Sequence, residues 1–178
     1  MMIGCCLIIF PCNRDYDKIV RTNYSLVRRL MKHNLLDKAY KHCVNHGYRF
    51  TEPRERVLKI LVDERKPLGA YDILQRLSME VDNPKPPTVY RAIQFWHQEG
   101  FIHCIDSLKS YVACLHGHHV GQAQFLICNQ CDFVKELECV VDFTAVTEAA
   151  NSIQFSIINC TVEIKGLCSD CNLTNLKN

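Results

Sequence analysis

From Met31 onward, apolar positions recur at helical spacing: Leu35, Leu36, Ala39, Tyr40 and Cys43 share a stripe, and Gly47 follows as a stop. Thr51 then reads as the N-cap of a second helix, with Pro53 in its first turn and Val57, Leu58, Leu61 and Val62 as its apolar face. Pro67 and Gly69 end that helix, and a third is predicted from Ala70 to Met79, burying Ile73, Leu74 and Leu77. The proline-rich turn Asn83–Pro87 leads into a fourth, Thr88 to Glu99, closed by Gly100. Val89, Ala92, Ile93 and Trp96 form its inner face, while Thr88, Arg91, Gln94 and Gln98 lie mostly opposite. Two short strands follow, Phe101–Ile105 and Tyr111–Cys114, joined by the polar turn Asp106–Ser110. Helices followed by a hairpin describe a winged helix-turn-helix, whose second helix presents polar side chains to the major groove. A plain helical bundle with a polar outer face would show the same helix pairs.

The two ends of the chain read differently. Met1 to Phe10 is apolar, but no basic segment precedes it and no small-residue cleavage site follows. Arg14 to Leu30 is polar and weakly patterned, so residues 1–30 are expected to be a disordered tail or leader sequence. Beyond the hairpin, a helix is predicted near Val140–Asn151, with strands near Ser152–Ile158 and Cys160–Lys165.

Composition adds two facts. The 178 residues are 48% hydrophobic, enough for a real core, yet no run reaches the roughly 18 apolar residues of a membrane-spanning helix. Membrane and wholly disordered classes are thereby set aside. The net charge of +2 is divided: residues 1–113 hold 18 Lys/Arg and 12 Asp/Glu, whereas residues 114–178 hold 3 and 7. A basic first half suits a polyanionic partner, although solvated charged faces would give the same count.

The 12 cysteines need an explanation. Cys128 with Cys131 and Cys168 with Cys171 form two Cys-x-x-Cys pairs, and two such turns complete a tetrahedral four-thiolate zinc site. The 36 residues between the pairs exceed a single zinc ribbon and require a whole αββ unit between the knuckles. A thioredoxin-type motif needs only one pair at a helix start, and a thiol oxidoreductase remains the reading from another class. Neither pair precedes a histidine, which removes c-type haem attachment, and the deaminase and His-Glu-x-x-His signatures are missing. His103, Cys114, His116, His118, His119 and Glu136 form a second, mixed set of donors suited to Zn²⁺, unless the histidines are solvated and Cys114 is core. Cys43, Cys104, Cys139 and Cys160 read as packing, and Cys5, Cys6 and Cys12 lie in the tail.

The sequence resembles the ferric uptake regulator superfamily, and within it the zinc uptake regulator branch. The likeness runs from about Leu35 to Cys171 and rests on TEPRERVLKIL at Thr51, AYDIL at Ala70, KPPTVYRAIQFWHQEGFIH at Lys85, QFLICNQCDFVKE at Gln124 and GLCSDC at Gly166. It implies an α+β chain: a tail (1–30), a winged-helix DNA-binding domain (31–115), a hinge loop (116–123) and a small α/β dimerisation domain (124–178) with a four-cysteine zinc site. It further implies two zinc ions per chain. Cys128, Cys131, Cys168 and Cys171 would hold the structural ion, and His103, Cys114, His119 and Glu136 the regulatory one. The family's usual histidine lies nearer the knuckle, where this chain has Gly121 and Gln122, so His119 is chosen and His118 is its substitute. For DNA the resemblance points to Tyr71, Thr88, Tyr90 and Arg91, with Lys85, Arg54 and Arg56 as phosphate neutralisers or ordinary surface charges. The expected protein is a cytoplasmic homodimer with no membrane or small-molecule partner. It would be no enzyme, but a repressor of zinc-uptake genes binding a palindromic operator when zinc is abundant. The rival within the superfamily is an iron or peroxide sensor; Cys114 argues against it, since a thiolate beside iron is easily oxidised.

Overall fold

Helix α1 (Tyr24–Asn45) opens the part of the chain that can be described; this computed structural model covers residues 24–64, 66–114, 122–137, 141–158 and 160–175. It is followed by α2 (Glu52–Asp63), α3 (Ala70–Leu77), α4 (Pro86–Gln98), the hairpin β1 (Ile102–Ile105) and β2 (Ser110–Ala113), then β3 (Gln122–Cys128) and β4 (Val134–Glu136). The chain finishes with α5 (Thr144–Ser152), β5 (Cys160–Gly166) and α6 (Ser169–Asn175).

The helix boundaries follow the sequence closely. Gly47 and Gly100 sit at φ +71° and +74°, and each closes its helix as a Schellman turn: Tyr48 N–H bonds Cys43 O and Phe101 N–H bonds Trp96 O, both at 2.8 Å. Thr51 occupies the N-cap of α2, but its side chain makes no capping bond; Pro53, Glu52 and Glu55 in the first turn define that start instead. Helix α4 begins two residues earlier than predicted because Pro86 and Pro87 supply its first turn. Helix α1 begins at Tyr24, inside the segment expected to be tail.

The helices close on one core. Val57, Leu58, Ile73, Val89, Ile93, Trp96 and Phe101 are fully or almost fully buried there, joined by Ala39 and Cys43 of α1. Trp96 keeps its indole N–H satisfied by donating to Arg54 O at 2.7 Å.

The second core is smaller: Ile105, Ala123, Phe125 and Ile127, flanked by Leu108, Val112 and Val134. Its sheet has the order β4-β3-β5, with β3 antiparallel to β4 and parallel to β5. A parallel pair needs a crossover, and α5 lies within that connection. One predicted strand is absent: Ser152–Ile158 does not pair. Helix α5 runs through Ser152, Gln154 takes φ +58°, and Phe155 N–H bonds back to Ala150 O at 2.9 Å, so the segment is spent on a helix stop. Strand β3 also starts at Gln122, inside the predicted hinge loop.

Candidate metal centres and nucleic-acid face

The four-cysteine cluster follows from the register of the sheet. Cys128, the last residue of β3, stands opposite Gly166, the last of β5, and Asn129 N–H bonds Gly166 O at 2.8 Å. Because the strands are parallel, both knuckles emerge at the same end of the sheet. Asp132, at φ +55°, turns the first knuckle tightly enough for Cys128 N–H to reach Phe133 O at 2.8 Å. The Sγ atoms of Cys128, Cys131, Cys168 and Cys171 all lie within 4.8 Å of one another. Cys131 and Cys168 are 3.7 Å apart, against an edge of about 3.8 Å for a tetrahedron with the usual zinc–sulfur distance. The donors fit the ion. The backbone N–H groups of Cys168 and Gln130 are the main stabilisers of a Cys128 thiolate and hold its pKa down to about 6. Cys128 is buried and the other three are half-buried.

The second constellation straddles the two cores. His103 on β1, Cys114 just past β2 and Glu136 at the end of β4 bring an imidazole nitrogen, a thiol and a carboxylate oxygen within 4.8 Å of one another. Cys114 Sγ is 3.7 Å from Glu136 Oε1, and His103 Nε2 is 3.0 Å from that oxygen. That last contact is out of line for a hydrogen bond, so His103 Nε2 is buried without an aligned partner. A buried ring nitrogen facing a thiol and a carboxylate suits a metal with nitrogen, sulfur and oxygen ligands. Burial pushes the His103 pKa down, but the adjoining Cys114 and Glu136 outweigh it and hold the pKa at about 9. His119, its substitute His118, and His116 fall outside the described residues, as do Cys5, Cys6, Cys12 and Cys139.

The expected DNA residues share the outer side of α3 and α4. With Val89, Ala92, Ile93, Phe95 and Trp96 turned inward, Tyr90 and Arg91 are exposed and Thr88 half-buried. Tyr71 is 74% exposed and Tyr90 58%, values that leave two large rings in water. Arg54 and Arg56 are committed within the chain. The Arg54 guanidinium lies 3.4 Å from the Phe95 ring centroid, and Arg56 pairs with Glu52 at 2.7 Å and Glu80 at 3.0 Å. Lys85, at the N-cap of α4, is exposed.

Two polar residues were not singled out by sequence reasoning. Gln124 is buried and both donates to Val141 O (3.0 Å) and accepts from Val141 N–H (2.8 Å), tying the approach to α5 onto β3. Glu163 on β5 reaches the hairpin turn and accepts from the backbone of Asp106 and Ser107. No local pattern marks either, because both contacts depend on strand register.

Helices α2 to α4, the hairpin, strands β3 and β4 and the first cysteine pair lie within the stretch, residues 45–165, that matches the profile of the ferric uptake regulator family, while Cys168 and Cys171 follow just beyond it. The chain belongs to that family. It is 34% identical over 139 residues to the zinc uptake regulation protein of Escherichia coli K12, covering 77% of this chain and 81% of that one. Its structure is similar to that of a zinc uptake regulator complexed with zinc and DNA, with a TM-score of 0.74, 32% identity and coverage of 82% and 97%. A crystal structure of holo XcZur aligns with a TM-score of 0.70 at 32% identity, covering 79% and 98%. The fold is therefore that of a ferric uptake regulator, with a four-cysteine cluster at the end of its small sheet.

Proposed function

We propose that this protein is a metal-responsive, DNA-binding transcription regulator, and more specifically a zinc-responsive repressor of zinc-uptake genes. The observation that carries the reading is the meeting of His103, Cys114 and Glu136 across the seam between the helical half and the sheet. The inclusion of a thiol favours zinc over iron, and the likeness to zinc uptake regulators supports the same choice.

On this reading Cys128, Cys131, Cys168 and Cys171 hold a structural zinc, and His103, Cys114, Glu136 and a loop histidine, His119, hold a regulatory one. Zinc, when bound, would supply the positive charge that holds thiolate, imidazole and carboxylate together. His103 and Cys114 belong to the hairpin attached to the DNA-facing helices, whereas Glu136 belongs to the sheet. The three donors meet only when hairpin and sheet are docked, so metal and DNA favour the same arrangement and raise each other's affinity by one factor. Tyr71, Thr88, Tyr90 and Arg91 meet the duplex: Arg91 pairs with guanine or a phosphate, and the Tyr rings pack on thymine methyls. Residues 31–115 act as the DNA-binding domain, and residues 124–178 pair two chains on a palindromic operator in the cytoplasm.

Duplexes selected from a random DNA pool in buffered zinc, then titrated with zinc in a gel-shift assay, test this reading. Affinity should rise with zinc, and equal affinity with and without it would overturn the reading. Cys114→Ser should abolish the zinc response in a protein that remains folded. Metal analysis of protein purified without chelator should find two zinc ions per chain; zinc with iron would point to an iron-sensing member instead.

A further inference from the structure

Strand β1 is the seam of the molecule, and its residues divide between the two cores. Ile102 enters the helical core, while His103 and Ile105, two apart and on one face, turn to the sheet. His103 meets Phe125 edge-on, with ring centroids 5.6 Å apart, and Ile105 is fully buried. The group formed by His103, Cys114 and Glu136 stands at the open end of the hairpin, where Cys114 N–H bonds Phe101 O at 2.9 Å. At the turn end, Asp106 N–H donates to Glu163 Oε1 at 2.7 Å, and Ser107 N–H reaches both oxygens at 3.3 Å. The two fastenings are roughly 10 Å apart along the strand, with Ile105 between them. They attach the hairpin to different strands of the sheet, β4 through Glu136 and β5 through Glu163.

A hairpin held only at its open end can pivot there; one held at both ends cannot. We propose that Glu163 is a positioning residue that docks the hairpin on the sheet independently of metal, so that His103, Cys114 and Glu136 are gathered before an ion arrives. This inference rests on the zinc-responsive reading above and deepens it. The apparent affinity of a site equals its intrinsic affinity multiplied by the fraction of molecules in which the site is assembled. Glu163 raises that fraction, and so sets the zinc concentration at which the regulator responds. The interaction is a charge-assisted acceptor for backbone N–H groups, in a partly solvated position. Its removal should therefore weaken zinc binding at the seam about three- to tenfold. The four-cysteine site, assembled by the paired ends of β3 and β5, should keep its affinity.

The test is competition for zinc against chelators of graded strength in the full-length wild-type protein, Glu163→Ala and Glu163→Gln. Glu163→Gln keeps the shape and one carbonyl acceptor, so it should fall between the other two and carries the comparison if the alanine variant is poorly folded. Weakening confined to the seam site, with faster hydrogen exchange at the Asp106 and Ser107 amides, is the expected result. Unchanged seam affinity in both variants overturns the proposal, as does equal weakening at both sites, which would mark Glu163 as a support of β5 alone. Failure of the underlying reading would be visible earlier: wild-type protein would bind only the four-cysteine ion, and the inference would fall with it.

Discussion

Arg54 and Arg91 look alike in the sequence, two basic residues in a basic half, yet Arg54 is packed within the chain and Arg91 is exposed. Arg54 lies over Phe95 while its carbonyl takes the Trp96 indole N–H, so it braces the inner side of α4. Arg54→Ala should cost about 0.5–1 kcal/mol in urea unfolding and leave the salt dependence of DNA binding unchanged. Arg91→Ala should leave stability intact and, if Arg91 holds a phosphate, reduce the slope of log affinity against log salt by about one. Phosphate neutraliser and ordinary surface charge leave out this third option for Arg54, because ring stacking across 41 positions leaves no local pattern. Gln124 makes the same point in the sheet. Gln124→Ala strips both backbone groups of Val141 of their partner and should cost about 1–2 kcal/mol, measurable as a lower unfolding midpoint. The cysteine pairs were legible by contrast, since Cys-x-x-Cys is a contact written into adjacent positions. His103, Cys114 and Glu136 were legible as donor types, and only the docking of hairpin on sheet shows that they meet.

Helices α2, α3 and α4 are legible almost in full, because each carries its own boundary chemistry, whereas α1 begins inside the expected tail and α6 has no pattern that marks it. Gly100, at φ +74°, both stops α4 and aims the chain into β1. Gly100→Ala should cost about 1 kcal/mol, seen as lower thermal stability of the helical half. The sheet was read less well. Ser152–Ile158 has the alternating β-branched and aromatic content of a strand, but strand formation needs a partner, and α5 with the turn that stops it takes its first residues. Between β2 and β5, elements are joined by tertiary register, which single-sequence periodicity does not carry. The turn of the hairpin has a pH dependence of its own. Burial would raise the Glu163 pKa, but hydrogen bonds from Ser107 and Asp106 hold it below the ordinary value of 4.5. A depressed folded-state pKa means the contact contributes fully above that value and is lost as pH falls through the lower, folded one. Hydrogen exchange at Asp106, corrected for intrinsic rate, should accelerate over that acid range and not at neutral pH.

At the scale of the whole molecule, the basic and acidic halves coincide with the helical core and the sheet. The sheet half also leaves Val146, Ile153, Phe155, Ile158 and Ile164 exposed, with Ile158 at 91%. Apolar residues gathered on one small unit mark a contact surface, and the proposed homodimer supplies the partner. Phe155→Glu should shift the protein from dimer toward monomer in sedimentation velocity at matched concentration. Among the described residues no helix is long and apolar enough to cross a membrane. The parallel register of β3 and β5 has a kinetic consequence. The first cysteine pair cannot be completed until the chain has run through α5 and returned alongside β3, about 40 residues later. Closure of that long loop makes the four-cysteine lock a late event in folding. Until then the unfolded chain carries a bare dithiol, open to oxidation and to adventitious metal, and the finished sheet brings it the second pair.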